Sequence, residues 1–256
     1  MALDGRVALV SGGGRGVGRA VSLGLATDGA DIAVNYRRDE AAAAETVEAI
    51  QKLGRRAVAY RASVDSWEDD RAMVESAVSD LGPIDILINN AGQASRGHSV
   101  ADTDPDEWVR LVGTHAFGGA YLSKLVLPGM RTRARGDIIM ISSVTTKNLP
   151  GWSSPYNMGK AAQEALAMTL AKEEQHNNIR VNVIQPGLIE TEMGRRLVKG
   201  AMGVDDIRTM EARMPFQHIC QPEDVAALVR FLVSDDGGYV SGQCIALDGG
   251  GMPPRR

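Results

Sequence analysis

Short runs of apolar, often β-branched residues alternate along the chain with longer amphipathic segments that are rich in alanine. Most of the short runs are continuously apolar, which is typical of parallel strands buried on both faces of a sheet. The runs that predict strands are residues 7–10, 32–35, 57–60, 84–89, 138–142, 181–184 and 243–247. The segments that predict helices include residues 40–53, 67–81, 105–130, 156–175 and 222–233.

Some of the predicted helices have recognisable ends. Asp104 is a favourable N-cap, Pro105 suits the first helical position, and Gly54 suits the end of a helix. Strands that alternate with helices imply right-handed crossovers. The pattern therefore predicts an α/β protein with a doubly wound, Rossmann-type fold, in which helices cover both faces of a parallel sheet of about seven strands.

The chain contains no linker, internal repeat or low-complexity tract, so we expect residues 1–256 to form a single domain. Residues 193–217 interrupt the alternation just after the sixth predicted strand, and they contain Gly194, Gly200, Gly203 and Pro215. We interpret this segment as a lid-like insertion.

The composition excludes several classes of protein. The 256 residues are 44% hydrophobic and 23% charged, with a net charge of -4, which excludes a disordered or collagen-like chain and argues against nucleic-acid binding. No stretch reaches the ~18 apolar residues that a membrane span requires. Asp4, Gly5 and Arg6 stand where a signal peptide would be apolar, so we expect a cytoplasmic protein. Cys220 and Cys244 lack metal-site spacing; we expect two buried thiols and no metal site.

A glycine-rich turn joins the first predicted strand to a helical segment. Its sequence is Ser11-Gly12-Gly13-Gly14-Arg15-Gly16-Val17-Gly18. Glycines let the backbone approach a phosphate closely, and the helix N-terminus favours its negative charge. The spacing is G-x-x-x-G-x-G, and no Lys-Ser or Lys-Thr follows, which excludes a P-loop nucleotidase. Its position after the first strand indicates a dinucleotide site.

The second predicted strand ends in Asn35-Tyr36-Arg37-Arg38. In dinucleotide-binding folds an acidic residue at this place binds the ribose 2′-hydroxyl of NAD. A guanidinium suits the 2′-phosphate of NADP(H) instead, so we predict that cofactor. The alternative is a solvated pair of charges at the start of a helix, where cations oppose the helix dipole.

Tyr156 and Lys160 are four residues apart, so on a helix they share one face. A lysine charge about 4 Å from the hydroxyl, at an effective dielectric constant near 20, contributes roughly 4 kcal/mol. Before desolvation is subtracted, this could lower the tyrosine pKa by up to about three units, toward the range of a general acid or base. Taken alone, such a pair is common on protein surfaces.

Several motifs together resemble the short-chain dehydrogenase/reductase family, nearest to the 3-oxoacyl-[acyl-carrier-protein] reductases. They are the glycine turn, Asn89-Asn90-Ala91-Gly92, Ser143 thirteen residues before Tyr156, Tyr156 with Lys160, Arg180-Val181-Asn182, Pro186-Gly187-Leu188-Ile189-Glu190-Thr191 and Gly242-Gln243 with Leu247-Asp248-Gly249-Gly250. The resemblance implies that Tyr156 exchanges a proton with the substrate, Lys160 tunes its pKa and binds ribose, and Ser143 hydrogen-bonds the substrate oxygen.

The resemblance also implies a set of cofactor-binding residues. They are Ser11, Gly12, Arg15, Gly16, Val17, Gly18, Tyr36, Arg37, Arg38, Ser63, Val64, Asn90, Ala91, Gly92, Tyr156, Lys160, Pro186, Gly187, Ile189 and Thr191. Ser11 stands where the family more often has threonine, and Ser63 where it usually has an aspartate near the adenine.

The largest departure from the family is at His115. The family has a catalytic asparagine seven residues after a tryptophan of the long central helix, and counting from Trp108 leads to His115. One interpretation is a neutral histidine that holds a water leading to the lysine, as the asparagine would. The other is an additional acid–base group.

The sequence thus predicts an NADP(H)-dependent oxidoreductase that transfers a hydride between the nicotinamide and a carbonyl or secondary alcohol, with a 3-oxoacyl thioester as one candidate substrate. A nucleotide sensor on the same fold is the alternative, although the Ser143, Tyr156 and Lys160 set is intact; a methyltransferase would have no use for Tyr156 and Lys160.

Partners and the substrate pocket are predicted less directly. Arg131, Arg133 and Arg135 end the long helix, where they either dock an acidic acyl-carrier protein or are solvated. Four methionines in or beside the insertion either line an apolar pocket or pack normally: Met193, Met202, Met210 and Met214. By analogy with the family we expect a homo-oligomer, a dimer or tetramer, paired through helices 105–130 and 156–175.

Overall fold

The computed structural model describes residues 2–251 of the chain. Within this range seven parallel strands form one sheet. They are β1 (Val7–Val10), β2 (Asp31–Tyr36), β3 (Ala57–Arg61), β4 (Ile86–Asn89), β5 (Gly136–Ile141), β6 (Ile179–Pro186) and β7 (Cys244–Leu247), in the spatial order β3-β2-β1-β4-β5-β6-β7. The predicted strands are all present, with ends that differ by at most two residues.

Helices join successive strands. They are α1 (Gly16–Thr27), α2 (Glu40–Lys52), α3 (Trp67–Leu81), α4 (Pro105–Val112), α5 (Gly118–Met130), the short α6 (Thr145–Asn148), α7 (Ser154–Glu173), α8 (Glu192–Met202) and α9 (Pro222–Val233). The Asp104 side chain caps α4 as predicted, by accepting the Asp106 N–H at 3.0 Å. Gly54, at φ 78°, follows the end of α2.

The predicted helix 105–130 is not a single α-helix. A π-helical turn, Gly113–Phe117, lies between α4 and α5. Next to this turn the backbone comes very close to the loop after β3, since a Cβ on Gly118 would lie 2.7 Å from the Val64 carbonyl oxygen. π-helical turns inserted in α-helices are frequent at functional sites.

Two apolar cores lie on opposite faces of the sheet. Neighbouring residues of a strand point to opposite faces, so Leu9 packs in the core beneath α3, α5 and α7, whereas Ala8 and Val10 pack in the core beneath α1, α2 and α9. This arrangement confirms the doubly wound α/β fold.

The strand order changes direction at β1, because β2 and β4 lie on its two sides. In such sheets ligands bind in the crevice at the carboxyl ends of the strands where the order changes. The glycine turn follows β1 and the Asn90 loop follows β4, so both predicted cofactor motifs border this crevice.

Arg131, Arg133 and Arg135 do not form a free basic surface. Arg131 pairs with Glu174 in a bidentate contact, and Arg133 pairs with Asp85 at 2.7 Å. Arg135 contacts Asp137 and Asp235. Asp85 and Asp137 stand at the starts of β4 and β5, at the edge of the sheet opposite to the crevice. These contacts give no support to carrier-protein docking through the three arginines.

The insertion after β6 is helical and has a small apolar core of its own. It comprises α8 and two 3₁₀ segments, Ile207–Arg213 and Pro215–Gln217. Met210 and Met214 are buried in this core with Val198, so they pack and do not line a pocket. Met193 and Met202 are exposed.

The cysteines differ from the expectation of two buried thiols. Cys220 is partly buried and Cys244, at the start of the edge strand β7, is exposed. Among residues 2–251 no helix is long and apolar enough to cross a membrane.

Candidate active site

The glycine turn has a shape that glycine alone allows. Gly12 and Gly16 have φ values of 62° and 53°, in the left-handed region. A Cβ on Gly18 would overlap the Gly12 carbonyl, so the first turn of α1 packs directly onto the loop. The Asn90 amide donates to the Ser11 and Gly12 carbonyls at 2.9 and 3.3 Å, which joins this loop to the one after β4.

The N-terminus of α1 is open to an anion. Its N-cap is Arg15, whose side chain makes no capping hydrogen bond, and the first turn carries no acidic residue. Backbone N–H groups at such an end are unsatisfied donors, and the helix dipole adds positive potential. These properties fit a phosphate beside the glycine turn.

The predicted arginines have different environments. Arg37 and Arg38 are exposed just after β2, and within residues 2–251 neither forms an ion pair, since Asp39 instead caps α2 by accepting the Ala42 N–H at 3.1 Å. Arg15 is already engaged: its Nη1 lies 3.0 Å from Glu192 Oε2 and 4.0 Å from Asp39 Oδ2.

The segments after β3 and β6 complete the crevice. Ser63 donates its N–H to Asp69 and its hydroxyl to Asp65, while Val64 is buried. Thr191 caps α8 by accepting the Gly194 N–H at 3.0 Å, and its methyl group lies against Gly16. The segment that starts at Pro186 and contains Gly187 and Ile189 thereby reaches the glycine turn. Tyr36 is partly buried, and Val17 packs on the core beneath α1, α2 and α9.

Ser143, Tyr156, Lys160 and His115 meet at the carboxyl end of β5. Ser143 lies close enough to the Tyr156 hydroxyl to lower its pKa. The Lys160 Nζ lies 5.8 Å from the centroid of the Tyr156 ring, and the His115 ring meets that ring edge to face, with centroids 5.2 Å apart. The structure thus brings together the four predicted catalytic residues.

The expected depression of the Tyr156 pKa is wrong for this structure. Burial raises the pKa of Tyr156, and Ser143 lowers it by less. The Lys160 Nζ donates to the Ile141 carbonyl at 2.6 Å and to Gln163 Oε1 at 3.2 Å rather than to the tyrosine. Burial also lowers the pKa of Lys160 to about 7, so that its charge is only partly present at neutral pH. Desolvation is therefore the largest cause of both pKa shifts.

His115 is part of the π-helical turn and is 1% exposed. Its Nε2 lies 2.9 Å from the Gln93 carbonyl oxygen. The pKa of His115 is well below its usual value because of burial and, second, the charge of Lys160; the contact with Gln93 opposes this shift. The neutral ring agrees with the prediction, and its Nε2 contacts a backbone carbonyl.

Comparison with known proteins assigns nearly all of the chain to one family. A family model described as enoyl-(acyl carrier protein) reductase matches residues 12–251. The human dehydrogenase/reductase SDR family member 4 is 33% identical over 253 residues, which are 99% of this chain and 89% of that protein. The chain is a short-chain dehydrogenase/reductase.

Solved structures of other short-chain dehydrogenase/reductases have the same fold. A 7α-hydroxysteroid dehydrogenase complexed with NADH and 7-oxo glycochenodeoxycholic acid is 33% identical, with a TM-score of 0.89 over 98% of this chain and 96% of that one. A short-chain dehydrogenase from Burkholderia cenocepacia in complex with NADP is 32% identical, with a TM-score of 0.86 over 97% and 98% of the two chains. The resemblance inferred from the motifs is confirmed.

Sequence reasoning missed how the loop after Gly92 is held in this short-chain dehydrogenase/reductase. Arg110 donates to the Gln93 carboxamide at 2.6 Å, and Gln93 donates to the Thr114 hydroxyl at 2.9 Å. Buried Glu107 accepts the Arg96 N–H at 2.8 Å. The four-residue spacing of Arg110 and Thr114 signals a shared helix face, but the sequence does not indicate that this face contacts the loop.

Proposed function

We propose that this oxidoreductase uses NADP(H) and interconverts a carbonyl compound and a secondary alcohol at Tyr156. The observation that carries the proposal is the position of the Tyr156 ring, 5.8 Å from the Nζ of buried Lys160 and near Ser143, at the crevice bordered by the glycine turn. A sensor without catalysis is not favoured, because the three side chains meet in one site.

The residues around the crevice fit a dinucleotide. The glycine turn and the uncapped N-terminus of α1 would bind the pyrophosphate, and Asn90, Ala91, Gly92, Pro186, Gly187, Ile189 and Thr191 would border the ribose and nicotinamide. Arg37 and Arg38, which lack carboxylate partners within residues 2–251, would bind a 2′-phosphate. When bound, the cofactor supplies or accepts the hydride.

Tyr156 would exchange the proton. Because burial raises its pKa, Tyr156 keeps its proton at neutral pH and is ready to donate it to a carbonyl oxygen. Ser143 would donate a hydrogen bond to the same oxygen. Alcohol oxidation needs the ionised tyrosine, so we expect its rate to rise with pH above neutrality. Lys160, when protonated, would favour that ionised form.

The substrate class is supported by exposed apolar residues in the segments that follow β5 and β6. Leu149, Trp152 and Phe216 are exposed apolar residues with φ values of 43°, 55° and 55°, and they belong to the two segments after β5 and β6. Non-glycine residues in this backbone region cluster at ligand sites. We propose a bulky apolar ketone or its alcohol; a 3-oxoacyl thioester is the second candidate, supported by the similarity to an acetoacetyl-CoA reductase of Shinella zoogloeoides, 33% identical over 249 residues.

Turnover of NADPH with a substrate panel tests the proposal. The panel contains steroid ketones, 3-oxoacyl thioesters, sugars and quinones, each assayed also with NADH. We expect NADPH oxidation with steroid ketones, and roughly 10²–10⁴-fold slower oxidation by Tyr156→Phe. Absence of turnover across the panel, with NADPH bound normally, would favour the sensor instead.

We expect the protein to be cytoplasmic and homo-oligomeric. Val109 and Phe117, on the segment from α4 to the π-helical turn, are exposed by 72% and 53%, which supports pairing through this segment. Light scattering after gel filtration distinguishes monomer, dimer and tetramer.

A further inference from the structure

Two glycines make the space in which the His115 ring lies. A Cβ on Gly92 would lie 2.8 Å from His115 Cε1 and 3.3 Å from Nδ1. A Cβ on Gly159 would lie 3.1 Å from His115 Cβ and 3.2 Å from Cδ2. Neither glycine has a positive φ, so the backbone conformation alone does not require glycine at either position. The space taken by the His115 ring explains why both positions lack a side chain.

The contacts of the ring determine its proton and its orientation. Nε2 lies 2.9 Å from the Gln93 carbonyl oxygen and 3.5 Å from the Gln93 nitrogen. A carbonyl can only accept, so the proton is assigned to Nε2. Nδ1 then carries a lone pair, is buried, and has no partner among residues 2–251. A small cavity lined by Asn89, Thr114 and Gln163, among others, lies beside the ring.

The ring also contacts the reacting group. Its plane is 84° from that of Tyr156, so the two rings meet edge to face, an arrangement that is favourable by about 0.5–1.5 kcal/mol beyond burial. Gly159 lies between Tyr156 and Lys160 in sequence, and Gly92 precedes Gln93 directly. The same imidazole therefore joins the tyrosine helix to the loop after β4.

We propose that His115 is a positioning residue, whose ring, held between Gly92 and Gly159, sets the place of the Tyr156 ring and of the Gln93 carbonyl without exchanging a proton with the substrate. This inference rests on the proposed role of Tyr156. The buried, neutral ring supports it, since an acid–base group needs a pKa near the working pH. The titratable groups that face the ring are Tyr156 and Lys160.

A first double-mutant cycle combines Gly92→Ala with His115→Ala. To reach ordinary contact distance, the ring must move by at least about 0.6 Å when Gly92 gains a methyl group. Displacements of about 1 Å can lower turnover by up to 10²-fold, so we expect Gly92→Ala to lower kcat about tenfold or more. In the His115→Ala background the remaining neighbour is the Asn90 carbonyl at 3.8 Å, and the further loss should be below about threefold.

Gly129→Ala is the matched control, because its new Cβ would meet only Pro83, at 3.9 Å. We expect unchanged kcat from it in both backgrounds. Equal losses from Gly92→Ala in both backgrounds would mean that Gly92 acts through the cofactor and would overturn the inference. Thermal unfolding and NADPH titration are recorded for every variant.

A second double-mutant cycle combines His115→Ala with Tyr156→Phe. It tests the positioning role of His115 even if Gly92→Ala does not fold. A ring that positions the tyrosine hydroxyl matters only while that hydroxyl is present. We expect His115→Ala to lower kcat about tenfold or more in the parent, with KM for NADPH unchanged, and less than about threefold in the Tyr156→Phe background. His115→Asn, which keeps a donor for the Gln93 carbonyl, should restore part of the loss.

The two failures are distinguishable. If Tyr156→Phe keeps parental turnover, the proposed function is wrong whatever His115 does. If Tyr156→Phe loses turnover but His115→Ala costs the same factor in both backgrounds, only the positioning role is wrong.

Discussion

The parallel strands begin at one edge of the sheet and end at the opposite one, and charged residues have different surroundings at these two edges. At the edge where the strands begin, Asp137 is 1% exposed and contacts Arg6, Arg135 and Arg180 at 2.7, 3.4 and 2.6 Å. At the edge where the strands end, Arg37 and Arg38 have no carboxylate partner within residues 2–251, and Lys160 is buried against a carbonyl.

The difference shows how to separate structural from functional charges. A buried charge with several partners is satisfied by the fold, and removing one member leaves the others uncompensated. A charge without a partner beside a crevice retains its capacity to bind a ligand. Burial lowers the pKa of Lys160 to about 7. Groups with perturbed pKa values cluster at functional sites, so this shift also indicates that the edge where the strands end is the functional one.

The largest expected effect is on turnover at the site. Tyr156→Phe should lower kcat by roughly 10²–10⁴-fold, because the ring still packs but donates no proton. Fluorescence titration should show nearly unchanged NADPH affinity. Parental turnover in this variant would mean that the tyrosine is structural and that the mechanism is wrong.

The opposite edge should respond in stability and not in chemistry. Asp137→Asn leaves buried Arg180 and its neighbours without their shared carboxylate, so we expect a loss of about 3 kcal/mol in the free energy of unfolding. Urea titration measures it, and kcat of the folded protein should stay unchanged. Asp235→Asn, at a carboxylate that is 93% exposed, is the control and should lose less than about 1 kcal/mol.

Asp70 tests whether an unpartnered buried charge away from the site costs stability. Both its carboxyl oxygens lack partners among residues 2–251, and burial, with Asp69 and Asp65 nearby, raises its pKa to about 8. The folded protein therefore binds the extra proton between about pH 4 and 8, and stability falls as pH rises through that window.

Asp70→Asn should remove this dependence and raise the free energy of unfolding at pH 7 by about 1–3 kcal/mol. Urea titrations at pH 5 and pH 8 measure the change, with Glu68→Gln, an exposed residue of the same helix, as control. An equally steep pH dependence in the Asp70→Asn variant would contradict the assignment.

The unpaired arginines predict cofactor preference. Hydrogen bonds to charged groups contribute roughly 1.5–3 kcal/mol, so kcat/KM should favour NADPH over NADH at least tenfold. Arg37→Ala and Arg38→Ala together should remove most of this preference, and Arg15→Ala should change it less because Arg15 is paired with Glu192. Arg71→Ala, in α3, is the control. Equal efficiency with both cofactors in the parent would sink the assignment.

The smallest effect is expected from the conservative substitution at His115. His115→Asn should stay within about tenfold of parental turnover, because a carboxamide can also donate to the Gln93 carbonyl. His115→Ala should lose more. A loss of roughly 10²–10⁴-fold in both variants, with a limb of the pH–rate profile that disappears in His115→Asn, would instead identify an acid–base histidine.

The fold and the place of the site could be predicted from local sequence patterns. Continuous apolar runs and capped amphipathic segments are local patterns, so they predicted the strands and helices with errors of a few residues. Because parallel strands end at one edge, the motifs after β1, β4 and β5 had to converge there. The whole-chain motif order then predicted the family.

The ion pairs, pKa values and hydrogen-bond partners of the site residues depend on the tertiary structure. Arg15 is paired because the fold places Glu192, 177 positions away in sequence, beside it. Arg37 has no such partner within residues 2–251. The pKa of Tyr156 rises rather than falls because burial outweighs the effect of Ser143, and because the lysine donates to the Ile141 carbonyl instead. The partner of His115 depends on a loop pressed against a π-helical turn. These properties come from distances and burial created by packing, and a local sequence pattern contains neither.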